Sequence, residues 1–314
     1  MSSFAKLQES VRRRCRSLVC LAGLSLVFGT QLGCATRPAA RFAHTAQILQ
    51  RLQQRTSCSR AVQGEAKLVV KAPLFRRQGN LLFRAHAPDH LRLDLYSPFG
   101  VTLSTLTTSG EELSLYEPHA STMYTGRANA CSVQRFAGVA IPSFALVEIL
   151  RGRPPVIDFA QARLRLKGGS PAGARYTAQL ASADGTKERL EFFVPREDFQ
   201  LPLEQQRVFL SRVRVKQHRS LLYDVHLSDY RAVSRRPLSR TADEMGLGQP
   251  RAHPTGPACE AELPFSFVFS VGRPAVSLSV RAEELEHNPP EVLGVYTQTP
   301  TPGVRRVPVD CTAP

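Results

Sequence analysis

Between residues 62 and 116 apolar side chains recur at every second position, a period that suits a strand with one apolar face and does not suit a helix. Leu68 and Val70, then Leu82 and Arg84, then Leu91, Leu93 and Leu95 alternate with polar partners, and breaks fall at Ala72-Pro73, Ala87-Pro88 and Ser97-Pro98. In the clearest run, His90 to Tyr96, the three leucines face one way and Arg92, Asp94 and Tyr96 the other. That is the pattern of an antiparallel sheet with one buried and one wetted face. The chain therefore reads as mainly β, beginning with a meander.

Strand-like segments resume at residues 162–167, 175–181, 189–194, 208–215 and 221–230, with turn signals at Gly168-Gly169 and Asp184-Gly185. A stretch rich in Arg, Pro, Gly and Thr, 233–260, reads as a flexible insertion, and segments 265–269 and 276–281 read as closing strands before a Pro-rich, extended tail from Thr299. Helical period appears in two places only. Residues 42–55 place Phe42, Ile48, Leu49 and Leu52 on one side, and residues 132–151 carry Val133, Phe136, Ile141, Phe144, Val147 and Leu150, with Pro142 dividing them into two short helices. Twenty-three prolines and no tryptophan agree with short segments and many turns.

The first 33 residues have the layout of an export signal. Arg12, Arg13, Arg14 and Arg16 precede an apolar run, residues 18–28, that is too short to span a bilayer comfortably. Leu32, Gly33 and Cys34 then resemble a lipobox, in which cleavage before the cysteine leaves a lipid-modified N-terminus; Gln31 stands where such sequences prefer Leu. Cleavage after Ala35 is the competing expectation, because Gly33 and Ala35 are correctly spaced small residues. No Asp follows Cys34, which by resemblance to enterobacterial lipoproteins implies an outer-membrane address. The expected organisation is a signal over 1–33, a lipid-anchored tether and helix over 34–60, and a β-domain over 61–314.

Cys15 and Cys20 leave with the signal and Cys34 takes lipid, so Cys58, Cys131, Cys259 and Cys311 remain for two disulfides in an oxidising compartment. Three pairings are open. A Cys259–Cys311 bridge would tie a long loop to the tail. A zinc site is disfavoured because no two of these cysteines stand at a short ligand spacing.

Lys and Arg outnumber Asp and Glu by 41 to 26, and losing the signal's five cations and one anion (Glu9) leaves about +11 by count. The arginines are scattered along strands, which suits a solvated surface, or an anionic membrane face where each cation contributes roughly 1 kcal/mol. Nucleic-acid binding is excluded on composition, since no aromatic residues interleave with a basic face. Signatures of a nucleophile elbow, a phosphate loop, a dinucleotide turn or a paired-histidine metal site are absent from the sequence. The eight histidines sit singly, His86 and His90 flank Pro88 in a turn, and the spacing of Asp94, Glu148, Asp224 and Asp229 does not designate an acid/base pair. The sequence thus predicts no catalytic residue, no cofactor and no metal.

Two stretches carry a resemblance. Residues 91–100 read Leu-Arg-Leu-Asp-Leu-Tyr-Ser-Pro-Phe-Gly, and residues 136–154 read Phe-Ala-Gly-Val-Ala-Ile-Pro, a helix to Leu150, then Arg-Gly-Arg-Pro. In order, these resemble the LolB family of outer-membrane lipoprotein receptors within the LolA/LolB superfamily, over residues 62–230 and again near 263–309, where Glu286 to Pro290 resembles the Leu-Asn-Pro-Pro element of the wider family. The resemblance implies an incomplete, strongly bent antiparallel β-barrel, a half-barrel covered by helices around an apolar cavity for the acyl chains of lipoproteins. Leu68, Val70, Leu82, Leu91, Leu93 and Leu95, with Phe136, Ile141, Phe144, Val147 and Leu150, would line it. Pro98, Phe99 and Gly100 stand where the family has a Pro-Leu-Gly turn whose leucine enters the membrane, so Phe99 either protrudes likewise or folds back under the helices. A soluble, LolA-like periplasmic carrier is the implied partner, and a membrane-anchored, periplasm-facing monomer the implied state. The Phe at 99, the insertion and the long tail depart from the family pattern. A non-catalytic structural or interaction lipoprotein, its cavity filled by its own side chains, is the alternative.

Overall fold

The computed structural model describes residues 38–233, 254–271, 276–300, 302–309 and 311. Cys34, the expected signal and most of the expected insertion lie outside the described residues. The chain enters through helix α1 (Thr45–Thr56), whose start is fixed by the Gln47 side chain accepting from the backbone N–H groups of Ala43 and His44. Its buried side carries Ile48 and Leu52, with Phe42 packed edge-on to Tyr176 just before it.

Six strands follow as a meander: β1 (Ala61–Ala72), β2 (Phe75–His86), β3 (His90–Tyr96), β4 (Thr102–Ser109), β5 (Glu112–Glu117) and β6 (Thr122–Arg127). Two short helices come next, α2 (Ala130–Ala137) and α3 (Ser143–Leu150), divided by Pro142 as the sequence predicts. The Asn129 side chain caps α2 by accepting from Ser132 N–H at 2.9 Å, and Gly138, at φ +71°, ends it. A second meander runs through β7 (Gln161–Ser170), β8 (Gly173–Ala181), β9 (Thr186–Pro195), β10 (Phe209–Gln217), β11 (Ser220–Val233), β12 (Ala261–Val271) and β13 (Val276–His287), and β14 (Arg305–Val309) completes the count.

Among the described residues fourteen strands form one sheet, in the order β14-β6-β5-β4-β3-β2-β1-β13-β12-β11-β10-β9-β8-β7. Its outer strands, β14 and β7, are not paired with each other, so the sheet is open. Two expectations are corrected. The residues read as an extended tail contain an edge strand, β14, parallel to β6, where Pro308 removes no donor that an inner strand would need. Gly168-Gly169 is a register shift inside β7 rather than a turn, because the chain reverses only after Ser170.

The two meanders join along β1 and β13, where Val62 lies opposite His287 and Lys71 opposite Ser277. At one end of this seam polar groups are closely satisfied. Asn288 donates to the carbonyls of Cys58 (2.7 Å) and Pro257 (2.8 Å) and accepts from Arg60 N–H (2.8 Å) and Ala61 N–H (3.2 Å). Arg151, fully buried behind α3, donates through Nε to the Ser59 carbonyl at 2.9 Å and pairs with Glu148. Cys58 bridges to Cys259 at this node, and Cys131 bridges to Cys311 beside the β6–β14 pair. The Cys259–Cys311 bridge entertained from the sequence is therefore replaced: Cys311 is carried by β14 to the start of α2, far along the sheet from Cys259.

Candidate functional site

The inner face of the first meander can be followed by register. Val62, Gly64, Ala66, Leu68 and Val70 lie opposite Ala85, Phe83, Leu81, Gly79 and Arg77 on β2, and the β2 residues in turn face Leu91, Leu93 and Leu95 on β3. Five of the predicted cavity residues, Leu68, Val70, Leu91, Leu93 and Leu95, thus share one face. Leu82 does not. It stands opposite Glu65 and Asp94 and lines a groove of about 580 Å³ on the outer face, among Gln63, Arg84, Arg92 and Glu286. The inward residues of β2 are its neighbours Leu81 and Phe83, so the assignment of Leu82 to the interior is corrected.

Packing on that inner face changes along the strands. Near the seam node, Val62, Ala85 and Leu91 are fully buried. Toward the opposite end Leu68, Val70, Leu93, Leu95 and, on β13, Leu278 are only half buried. From α3 and the link before it, Ile141, Val147 and Leu150 are buried in the same apolar cluster, and α3 packs on β2 and β3. Phe144 points out of it, 46% exposed; the side chain of Phe136 lies outside what the structure describes.

The half-buried end is also where the hairpin tips are. β1 and β3 run the same way, so the β1–β2 turn and the β3–β4 turn project from one end of the sheet. The second is closed by Ser97, whose carbonyl accepts from Gly100 N–H at 3.0 Å and whose own N–H donates to the Val101 carbonyl at 2.8 Å. Gly100 sits at φ +80°, a conformation that favours glycine. Pro98 and Gly100 are exposed, and Phe99 between them is 93% exposed instead of folded back. Leu74 at the β1–β2 tip is equally bare, and the sequence reading passed over it although Pro73 marks the turn.

One buried acid faces inward on the second meander. Glu188 lies opposite Val215 on β10, in line with Leu190, Phe192 and Val194. Burial pushes its carboxyl up to about 7, against the pull of the Ile157 N–H that donates to it at 3.0 Å. Its other oxygen has no hydrogen-bond partner among the described residues. The four carboxylates considered from sequence all stand in arginine ion pairs: Asp94 with Arg92, Glu148 with Arg151 and Arg153, Asp224 with Arg212 and Arg214, and Asp229 with Arg231. His86 and His90 pack with Tyr296 in a ring cluster, and burial, with His90 beside it, pushes His86 below its usual range. Among the described residues no group of three His, Cys, Asp or Glu could hold a metal ion.

No family model and no curated protein matches the chain. Solved structures do. A DUF1329 family protein from Desulfovibrio piger superposes with a TM-score of 0.50 at 9% identity, over 82% of this chain and 98% of its own. What is shared is the fold. A LolA superfamily protein from Nitrosomonas europaea gives 0.48 at 10% identity, over 82% and 99% of the two chains, and a putative outer membrane lipoprotein-sorting protein domain from Vibrio parahaemolyticus gives 0.45 at 10% identity, over 76% and 91%. The narrower LolB assignment rests on the sequence motifs alone.

Proposed function

We propose that this chain is a lipid-anchored, periplasm-facing outer-membrane lipoprotein that takes the acyl chains of other lipoproteins from a soluble LolA-like carrier and helps insert them in the outer membrane, acting as a monomer without cofactor or catalysis. The observation that carries this reading is Phe99, held out in water on a hydrogen-bonded turn. Leaving a phenylalanine exposed forgoes roughly 1.5–3 kcal/mol of burial, which makes sense if its resting place is hydrocarbon. The half-buried strip of Leu68, Val70, Leu93, Leu95 and Leu278 leads toward that turn and offers apolar surface to a fatty chain. Such cover is needed, since at about 0.8 kcal/mol per methylene an acyl chain crossing water is costly to leave bare.

One observation favours the interaction-module reading: toward the seam the interior is filled by Val62, Phe83, Ala85, Leu91, Ile141 and Val147 themselves. The two readings separate in one experiment. Phe99→Glu, at an exposed site, leaves the fold intact by circular dichroism and abolishes incorporation of a test lipoprotein into outer-membrane vesicles if the transfer reading holds; full incorporation by the variant removes Phe99 from any delivery role and leaves the interaction module.

A further inference from the structure

The β1–β2 hairpin differs from the Phe99 turn in its charge. Its tip presents Leu74, 96% exposed, and Phe75, half exposed. The last β2–β3 pair is Asn80 with Tyr96, so residues 75–79 continue past β3, an overhang of about 17 Å at ~3.4 Å per residue. Three cations flank the tip. Lys71 lies directly opposite Arg76, both exposed, and the Arg77 guanidinium sits 5.6 Å from the centre of the Phe75 ring.

Like charges placed directly across a strand pair repel, so this arrangement is unfavourable in water by itself. Among the described residues no ion pair relieves it: residues 66–88 contain no Asp or Glu, and β13 alongside has none before Glu283, which pairs with Lys67 further down. Bare apolar side chains at the apex, with cations behind them and no acid on the flanking strand segments, match the layered chemistry of an anionic bilayer, hydrocarbon first and phosphates above it.

We propose that the β1–β2 tip is a membrane-docking element for anionic lipid, in which Leu74 and Phe75 enter the interface while Lys71, Arg76 and Arg77 meet headgroup phosphates. The inference does not depend on acyl transfer; a chain carrying no cargo would dock in the same way.

The absence of tryptophan from the sequence makes a local test available. Leu74→Trp in the full chain places a single reporter at the tip. With vesicles of phosphatidylethanolamine and phosphatidylglycerol its emission moves to shorter wavelength and is quenched by brominated acyl chains; with phosphatidylcholine alone it does not. Adding Lys71→Gln, Arg76→Gln and Arg77→Gln raises the lipid concentration needed for the shift by about a hundredfold, at about fivefold per cation. An emission indifferent to anionic vesicles overturns the proposal, as does an equal shift with neutral ones. Phe99→Trp is read separately: a responsive Phe99 position beside a silent Leu74 position overturns this inference and spares the transfer reading, and the opposite outcome does the reverse.

Discussion

The two ends of the sheet handle their polar and apolar groups in opposite ways. At the seam node, Asn288 uses both amide donors and both acceptor positions of its side chain on the backbone of two separate segments, and Arg151 is buried against a carbonyl and Glu148. At the tips, Leu74 and Phe99 stand in water and Lys71 faces Arg76. A buried node and a bare tip on the same strands teach that the satisfied polar groups and the exposed apolar side chains are kept at opposite ends of the sheet. Strands anchored at one end can hold exposed apolar side chains at the other without those side chains contributing to stability.

That contrast can be broken at either end, and the largest effect is expected at the node. Asn288→Ala deletes four hydrogen bonds and leaves backbone groups of Cys58, Arg60, Ala61 and Pro257 without this partner, so urea denaturation should show a loss of about 3–5 kcal/mol. A loss below about 1 kcal/mol would mean the node is not where stability resides.

Glu188 sharpens the comparison, because it is a polar group buried on the tip side of the inner face. Its carboxyl titrates near 4.5 when unfolded and at about 7 when folded. Between those values the unfolded chain gives up its proton first, so stability falls as pH rises through the interval, and the full cost, on the order of 3 kcal/mol, applies above it. Glu188→Gln, which can still accept from Ile157, should remove that slope: a gain of about 3 kcal/mol near pH 8 and none near pH 4. A slope that survives the substitution would assign the pH dependence to other groups. The smallest effect belongs to the tips, where Leu74→Ser and Phe99→Ser should each change the unfolding free energy by no more than about 0.5 kcal/mol. A cost above about 1 kcal/mol at either would show that the side chain packs against the protein.

The strand pattern was legible where alternation was clean, as in Leu91, Leu93 and Leu95, and ambiguous where two leucines adjoin. Leu81-Leu82 fits either phase, and the choice is made by pairing with β1 and β3, which local sequence does not contain. The helix break at Pro142 was readable from proline chemistry. The bridge to Cys311 was not, because it needs the parallel pairing of β14 with β6 across most of the chain. Two signals were present and missed: Glu188 shares its parity with Leu190, Phe192 and Val194, and Leu74-Phe75 follows Pro73 between Lys71 and Arg76. In the candidate site, the turn around Phe99 is legible in the sequence; that its ring stands free is set by the folded packing around it.

The position of β1, in the middle of the sheet rather than at an edge, bears on how such a chain is made. A polypeptide emerging N-terminus first produces β1 early, yet its second neighbour, β13, arrives more than two hundred residues later. Within each meander consecutive strands pair with one another, whereas uniting the two is a long-range closure of the kind that slows folding. Until that moment two half-sheets coexist in one chain, each with an unguarded edge, and edges of that sort template association between molecules. Crowding is therefore most hazardous to this protein in the interval before its thirteenth strand has joined β1.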